Sequence, residues 1–555
     1  MSSKFSRRDF VVTTAMGSVA AATLGEEPPK AASEASARYD WIIGKWGARL
    51  SDEQKADIRR LVSDNEKGLA PLRAFDLGNG SAPLFEPRWK ADASSAHGGA
   101  DEASALHSSA GIEEMTVREL AHHIRLKKLS PVEVTRTFLD RSDRIGSKLN
   151  AYATLTPERA MEEARAAEKE ITAGHYRGLL HGIPYAAKDL LAAKGYPTTW
   201  GARPYANQKF DFDAAVIRKL KDAGAILIGK AAMIELAGGM GYRYGTASLQ
   251  GGAKNPWNET CWTCGSSSGS GAIVAARLAP FAIGTETWGS IVCPSAYCGV
   301  SGLRPAYNRV SRDGAMALSY SMDKIGPMAR TADDCGIVLS VIGEGFAYRR
   351  HSRRLRIGWL TNAWKEMQPE IERVTSAARQ VLAPHATIVE IALPEGPWEV
   401  AAGTTISVEG ASAFDTLIDS GRVLELTDPL AKIGGFVNAT ISGADYVRAQ
   451  RVRGVLQRKV SELFEKVDVV AAASLPIAAT PMETNLETDL AFADPLGGIG
   501  NFCGLPAISV PSGFTSKNLP AGIQFVGRPL DEDALLAAAN MFQSHTNWHW
   551  KAPSV

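Results

Sequence analysis

"CWTCGSSSGSG", Cys261–Gly271, sets a Cys-x-x-Cys pair directly against a run of serines and glycines. Whether the thiols or the hydroxyls carry the chemistry decides which protein this is. A structural zinc site needs four ligands. Only Cys293 and Cys298 form another nearby pair, and their spacing is unlike that of a zinc finger. A thioredoxin-like site asks for a βαβ setting that this region lacks. Six cysteines in 555 residues cannot frame a small disulfide domain either. The thiols read as buried and inert.

The hydroxyls offer two readings. "GSSSG" at 265–269 matches G-x-S-x-G, the nucleophile elbow of α/β-hydrolases, with Ser267 as nucleophile. That elbow needs a downstream acid and then a histidine. His351, His385, His545 and His549 follow, none in such a context. "SMDK" at 321–324 matches the S-x-x-K of β-lactamases, but the accompanying S-D-N and K-T-G are missing. The second reading takes in two further stretches: "GIPYAAKDLLAAKGYPTTWGA", which carries Lys188, and "GTETWGSIVCPSAYCGVSGLRPAYNRVSRDGAM", which carries Ser290.

Together with "DKIGPMARTADD", "GNFCGLPAISVPSGF" and "AGIQFVGRPLDEDALLAAA", these stretches resemble the amidase signature family over roughly residues 112–550. The resemblance implies a Ser–cis-Ser–Lys triad. The lysine of the G-I-P-x-x-x-K-D motif falls on Lys188, the bridging serine on Ser266 and the nucleophile on Ser290. It further implies an oxyanion hole of the backbone N–H groups of Thr287, Trp288, Gly289 and Ser290, and a substrate channel near Met233, Gly238 and Gly239. Trp288 stands where many members carry a small or acidic residue. Its indole is expected to project toward the acyl pocket or into the wall behind it, the pocket being the preferred reading; a demand for positive φ at this position would strain the turn. Cys264 and Ser268 stand where glycine is common, and both are small enough for the loop to survive.

The composition of these motifs makes chemical sense. A serine hydroxyl is a poor nucleophile without a base in hydrogen-bond reach. No histidine lies in either serine motif. Lysine can replace it only if burial lowers its pKa toward neutrality. Lys188 sits among Tyr185, Ala186, Ala187, Leu190 and Leu191, although Asp189 would oppose the shift if it faced inward.

Outward from the motifs, helical and short apolar strand patterns alternate without a composition break. "DAAVIRKLKDAG" reads as a helix ending on Gly224, "AILIG" as a buried strand, and "DVVAAAS" and "PAISVPSG" as further strands. The expected fold is one large α/β domain, residues 112–555, with a mixed sheet covered by helices on both faces. Residues 38–111 form an N-terminal helical extension and a flexible connector. Ser51 with Gln54 and Thr116 with Glu119 have capping-box spacing, and Ser130-Pro131 opens a further helix. Residues 26–37, "EEPPKAASEASA", read as a disordered linker.

Hydrophobic residues make up 45%, charged residues 22%, and the net charge is +1. Nothing in this balance suggests nucleic acid as a partner. The implied activity is hydrolysis of a small-molecule carboxylic amide through an acyl-enzyme on Ser290, with no cofactor and no metal. A homodimer is left open. Two alternatives stand beside it: the glutaminase subunit of a tRNA-dependent amidotransferase, and a non-catalytic exported binding protein.

The chain opens "MSSKFSRRDFVVTTAMGSVAAATLG", an Arg7–Arg8 pair before a mild apolar stretch, which resembles a twin-arginine export signal. That stretch is too short and too rich in Ala, Thr and Gly to span a bilayer. The expectation is an exported protein, periplasmic or extracellular, with no stable membrane insertion after processing. Replacing Arg7 and Arg8 together by lysine should trap the chain in the cytoplasm; fractionation showing unchanged export would contradict a twin-arginine route.

Overall fold

The computed structural model describes residues 29–89, 111–350, 354–489 and 493–555, with the side chains of 29–33 excepted. The twin-arginine stretch and most of the expected connector lie outside the described residues. Eleven strands form the central sheet. In chain order they are β1 (Tyr152–Leu155), β2 (Pro184–Lys188), β3 (Ile226–Ala231), β4 (Phe281–Glu286), β5 (Ser301–Arg304) and β6 (Lys324–Ala329), then β7 (Arg356–Leu360), β8 (Thr387–Ile391), β9 (Val469–Ala473), β10 (Ala507–Phe514) and β11 (Pro520–Gly527). Their spatial order is β1-β3-β2-β4-β6-β5-β10-β11-β9-β7-β8. The sheet is mixed, and helices flank it, as the sequence patterns imply.

The strands that matter for the site are buried along their whole length. β2, β3, β4 and β6 show no exposed residue, which is what apolar runs covered on both faces require. β2 pairs parallel with β4 through Tyr185–Phe281 and Ala187–Ile283. The C-terminal ends of both strands therefore open at the same edge of the sheet, where α/β folds gather ligands. β6 runs antiparallel to β4, placing Ile325 opposite Thr285 and Lys324 opposite Glu286.

The local helix signals act as their chemistry dictates. The side chains of Ser51 and Thr116 accept from the N–H groups of Gln54 and Glu119, and both boxes are reciprocated. Ser130 caps Pro131–Arg141: its Oγ accepts from the N–H groups of Val132 and Glu133 and donates to Glu168. The helix Ala215–Asp222 leads through Gly224, at φ +81°, into β3.

One expectation is corrected. The stretch read as a linker to residue 37 enters a helix at Pro29 that runs to Trp46. Its Ala35, Tyr39, Ile42, Ile43 and Trp46 form a stripe packed into the core. Arg38 pairs with Glu66, and Trp46 lies 4.7 Å from the ring of Phe436. Alanine-rich composition favours helix once such a stripe has a surface to cover. Among the described residues no helix is long and apolar enough to cross a membrane.

Candidate active site

Lys188 ends β2, Ser266 lies in the loop before the helix Ser268–Ala275, and Ser290 lies in the turn between β4 and the helix Val292–Cys298. The parallel pairing of β2 with β4 brings these three segments together. Lys188 Nζ is 2.8 Å from Ser266 Oγ, and Ser266 Oγ is 2.9 Å from Ser290 Oγ. The Gly265–Ser266 peptide is cis. Ser267 N–H donates to the carbonyl of Ser290 at 3.2 Å, tying the two serine loops together.

Two partners of the lysine were not foreseen. Lys188 Nζ is also 3.0 Å from Ser267 Oγ and 3.0 Å from Thr285 Oγ1. The Ser267 hydroxyl donates to Thr285 O at 3.1 Å and accepts from Thr285 N at 3.2 Å. Its only proton is thus committed, and toward the lysine it can act only as acceptor. A neutral amine has two N–H donors and one lone pair. Lys188 Nζ also lies 3.4 Å from Thr285 O, so four oxygens surround it, and the Ser266 hydroxyl among them donates its own proton to Ser290 Oγ. Ser267 is wholly buried and its hydroxyl is spent on this work, so it cannot serve as an elbow nucleophile.

Lys188 is fully buried, and that burial lowers its pKa to about 7, against the opposing pull of Asp323 and Glu286. Asp189, the residue that could have undone this, turns away. It pairs with the buried Lys230 at 2.9 Å and accepts from the N–H and hydroxyl of Thr199.

The nucleophile turn is pinned from beneath. Glu286 Oε2 accepts from the N–H groups of Ile291 and Val292 at 2.8 and 3.0 Å, while its Oε1 meets Arg304 at 2.6 Å. Burial opposes its charge, but Arg304 and these N–H groups outweigh it and hold the carboxyl down at about 2. The main-chain N–H groups of Thr287, Trp288, Gly289 and Ser290 donate to no acceptor among the described residues. Positive φ in this turn falls on Gly289, at +78°, and Trp288 avoids it. In the preceding loop it falls on Cys264, at +62°, while Gly265, Gly269 and Gly271 do without it. Gly269 is needed for a different reason: a Cβ there would sit 2.3 Å from Ala151 O.

The remaining sequence candidates divide. The Trp288 indole points into the wall, not into open space. Its Nε1–H donates to Asp494 Oδ2 at 2.9 Å, and its ring lies against Gly498. Glu399 accepts from Asp494 N at 2.7 Å, and burial, with the Asp494 carboxylate beside it, raises its pKa to about 8. Met233 is fully buried beneath Gly201 and offers no surface to a ligand. Gly238 abuts Tyr242, and Gly239 packs against Leu318. Among the described residues no group of three or more His, Cys, Asp or Glu is placed to hold a metal.

Residues 133–536 match the family model described as Amidase. The chain is a member of the amidase signature family. The A subunit of the glutamyl-tRNA(Gln) amidotransferase of Geobacter sp. (strain M21) is 33% identical over 488 residues, which cover 79% of this chain and 99% of that protein. Its counterpart in Methylococcus capsulatus (strain ATCC 33009 / NCIMB 11132 / Bath) is 35% identical over 483 residues, covering 79% and 98%. Among solved structures, native peptide amidase from Stenotrophomonas maltophilia is 29% identical with a TM-score of 0.68, covering 78% of this chain and 97% of that one. A bacterial aryl acylamidase, 23% identical over 80% of this chain and 99% of its own, shares the fold with a TM-score of 0.70. Amidase signature enzymes are amidohydrolases, so the chain stands among enzymes of amide C–N chemistry.

In this amidase signature protein the Glu286–Arg304 pair is almost wholly enclosed. Glu286→Gln keeps an oxygen for Ile291 and Val292 but leaves the Arg304 charge uncompensated. It should cost about 3–5 kcal/mol of stability, read as a lowered denaturation midpoint. An unchanged midpoint would mean that the pair does not hold the turn.

Proposed function

We propose that this protein hydrolyses a carboxylic amide through an ester on Ser290. The observation that carries this reading is the setting of Lys188: fully buried, with its pKa lowered to about 7, and 2.8 Å from Ser266 Oγ, which is itself 2.9 Å from Ser290 Oγ. Once the Ser266 hydroxyl turns from Ser290 toward the neutral amine, Lys188 takes its proton as Ser266 takes that of Ser290, and Ser290 Oγ attacks the carbonyl carbon. The N–H groups of Thr287–Ser290 receive the developing oxyanion, each such donor being worth about 3–4 kcal/mol. As the C–N bond breaks, the relay returns its proton to the departing amine. Water then attacks the ester and gives a proton to the same relay. The acid leaves and Ser290 is restored.

Lys188→Ala should lower kcat/KM by about 10²–10⁴-fold, and Lys188→Arg should not rescue it, because a guanidinium keeps its proton. Ser290→Ala should abolish turnover; retained turnover would refute the nucleophile. The pH dependence has a definite sign. The free enzyme needs the unprotonated amine, so kcat/KM should rise through a midpoint near 7 and level off above it. A profile falling over that range would contradict a lysine base.

A second reading is favoured by the curated relatives: the glutaminase subunit of a tRNA-dependent amidotransferase, in which glutamine is the amide and ammonia passes to a partner. The same acyl-enzyme serves both. Ammonia release from free glutamine, compared with a panel of peptide amides, anilides and esters, separates them. Export through the Arg7–Arg8 signal would favour the stand-alone hydrolase.

A further inference from the structure

Asp323 immediately precedes β6 and reaches the turn that carries Ser290. Its Oδ1 accepts from Thr287 Oγ1 at 2.6 Å, and its Oδ2 accepts from Leu318 N and Ser319 N at 2.8 and 3.0 Å. Three donors on one carboxylate favour its ionised form. The nearby cations are turned elsewhere. Lys324 directs its Nζ to Asn501 O at 3.5 Å, and burial drives its pKa well below the ordinary lysine value. Arg312 gives Nη1 to the carbonyls of Tyr320 and Asp323 at 2.6 and 3.4 Å, and Nη2 to Tyr307 Oη and Asn308 Oδ1 at 3.1 and 2.9 Å.

Asp323 shares one side of the β4 terminus with Lys188. Thr285 Oγ1 is 3.0 Å from Lys188 Nζ, and Thr287 Oγ1 donates to Asp323. The two threonines, two residues apart, border one cavity together with Asp323. Glu286 lies between them in sequence and points the other way, where Arg304 meets it at 2.6 Å. Asp189, beside the lysine in sequence, is paired with Lys230 at 2.9 Å. Of these three carboxylates, only Asp323 has no cationic partner among the described residues. Its pull on the Lys188 proton accordingly exceeds that of Glu286.

We propose that Asp323 is a positioning residue for the relay: its carboxylate steadies the nucleophile turn through Thr287 and is the counter-charge for the ammonium that forms at Lys188 when Ser290 is deprotonated. The inference rests on the acyl-enzyme reading above and deepens it. Neutral Lys188 becomes a buried cation as it takes the proton, and a buried charge without a partner is costly. Asp323 supplies that partner across Thr285 and Thr287. Direct contact would instead hold the lysine in its charged form before the reaction began.

The test reads pH dependence on the full chain with methanesulfonyl fluoride, so no natural substrate need be known. A Ser290 Oγ–S bond forms, the S–F bond breaks, fluoride leaves, and the proton passes through Ser266 to Lys188. Intact mass gives the rate. In the wild type the rate should rise with pH through a midpoint of about 7. Asp323→Asn keeps groups that can bond to Thr287, Leu318 and Ser319 but removes the charge. The ammonium then loses its counter-charge, so the midpoint should move down by about one unit. Asp323→Glu keeps the charge and should hold the wild-type midpoint. Should the asparagine variant not fold, Asp323→Ser removes the same charge; where labelling is too slow, the Lys188 Nζ shift reads the same midpoint by NMR. An unmoved or raised midpoint in a folded, charge-free variant overturns the assignment whatever its rate, because a merely structural residue would change the rate alone. A wild-type rate that does not rise through this range, or a Ser290 left unmodified, would instead overturn the acyl-enzyme reading on which it rests.

Discussion

The site depends on the surroundings of one buried nitrogen. Lys188 Nζ has its own carbon, two hydrogens and one electron pair. Ser266, Ser267 and Thr285 surround it with oxygens, and only Ser266 leads on to Ser290. Desolvation makes the neutral form accessible near pH 7. A charged lysine in this place would have no lone pair, and Ser267, whose proton goes to Thr285 O, could offer none to a neutral one.

The rest of the fold secures those conditions. Parallel pairing of β2 with β4 sets the lysine beside Thr285, and the adjoining loops deliver the two other serines. Two buried ion pairs then keep stray charge away or put it to use. Lys230 holds Asp189 out of reach of Lys188. Arg304 keeps Glu286 ionised, so that its second oxygen can bind the N–H groups behind Ser290. With those N–H groups drawn downward, the N–H groups of Thr287–Ser290 meet no acceptor among the described residues. Breaking up the apolar cover of this region would restore the lysine's charge before it removed any catalytic atom.

Much of this was legible in the sequence, for reasons of scale. Capping boxes at Ser51 and Thr116 are local, and four-residue spacing determines them. The long motifs around Lys188, Ser266 and Ser290 name the family without help from the fold. What stayed hidden depends on distant partners. Ser267 and Thr285 become ligands of the lysine only through strand pairing. The direction of the Trp288 indole is set by Asp494, 206 residues away, which decides for the wall over the pocket. Met233 lies near the site in sequence motif but is sealed beneath Gly201. The helix Pro29–Trp46 was misread because its alanine, serine and charged residues resemble a linker until a core accepts Ile42 and Trp46.

The most direct test of the central claim is the titration of Lys188 itself. Lysine labelled with 13C and 15N, with Lys188→Met supplying the assignment, allows the Cε and Nζ shifts to be followed by NMR from pH 5 to 11. The account predicts one lysine signal that titrates with a midpoint near 7, lost in Lys188→Met. A Lys188 signal that stays protonated to about 10, the value of an ordinary solvated lysine, would contradict it.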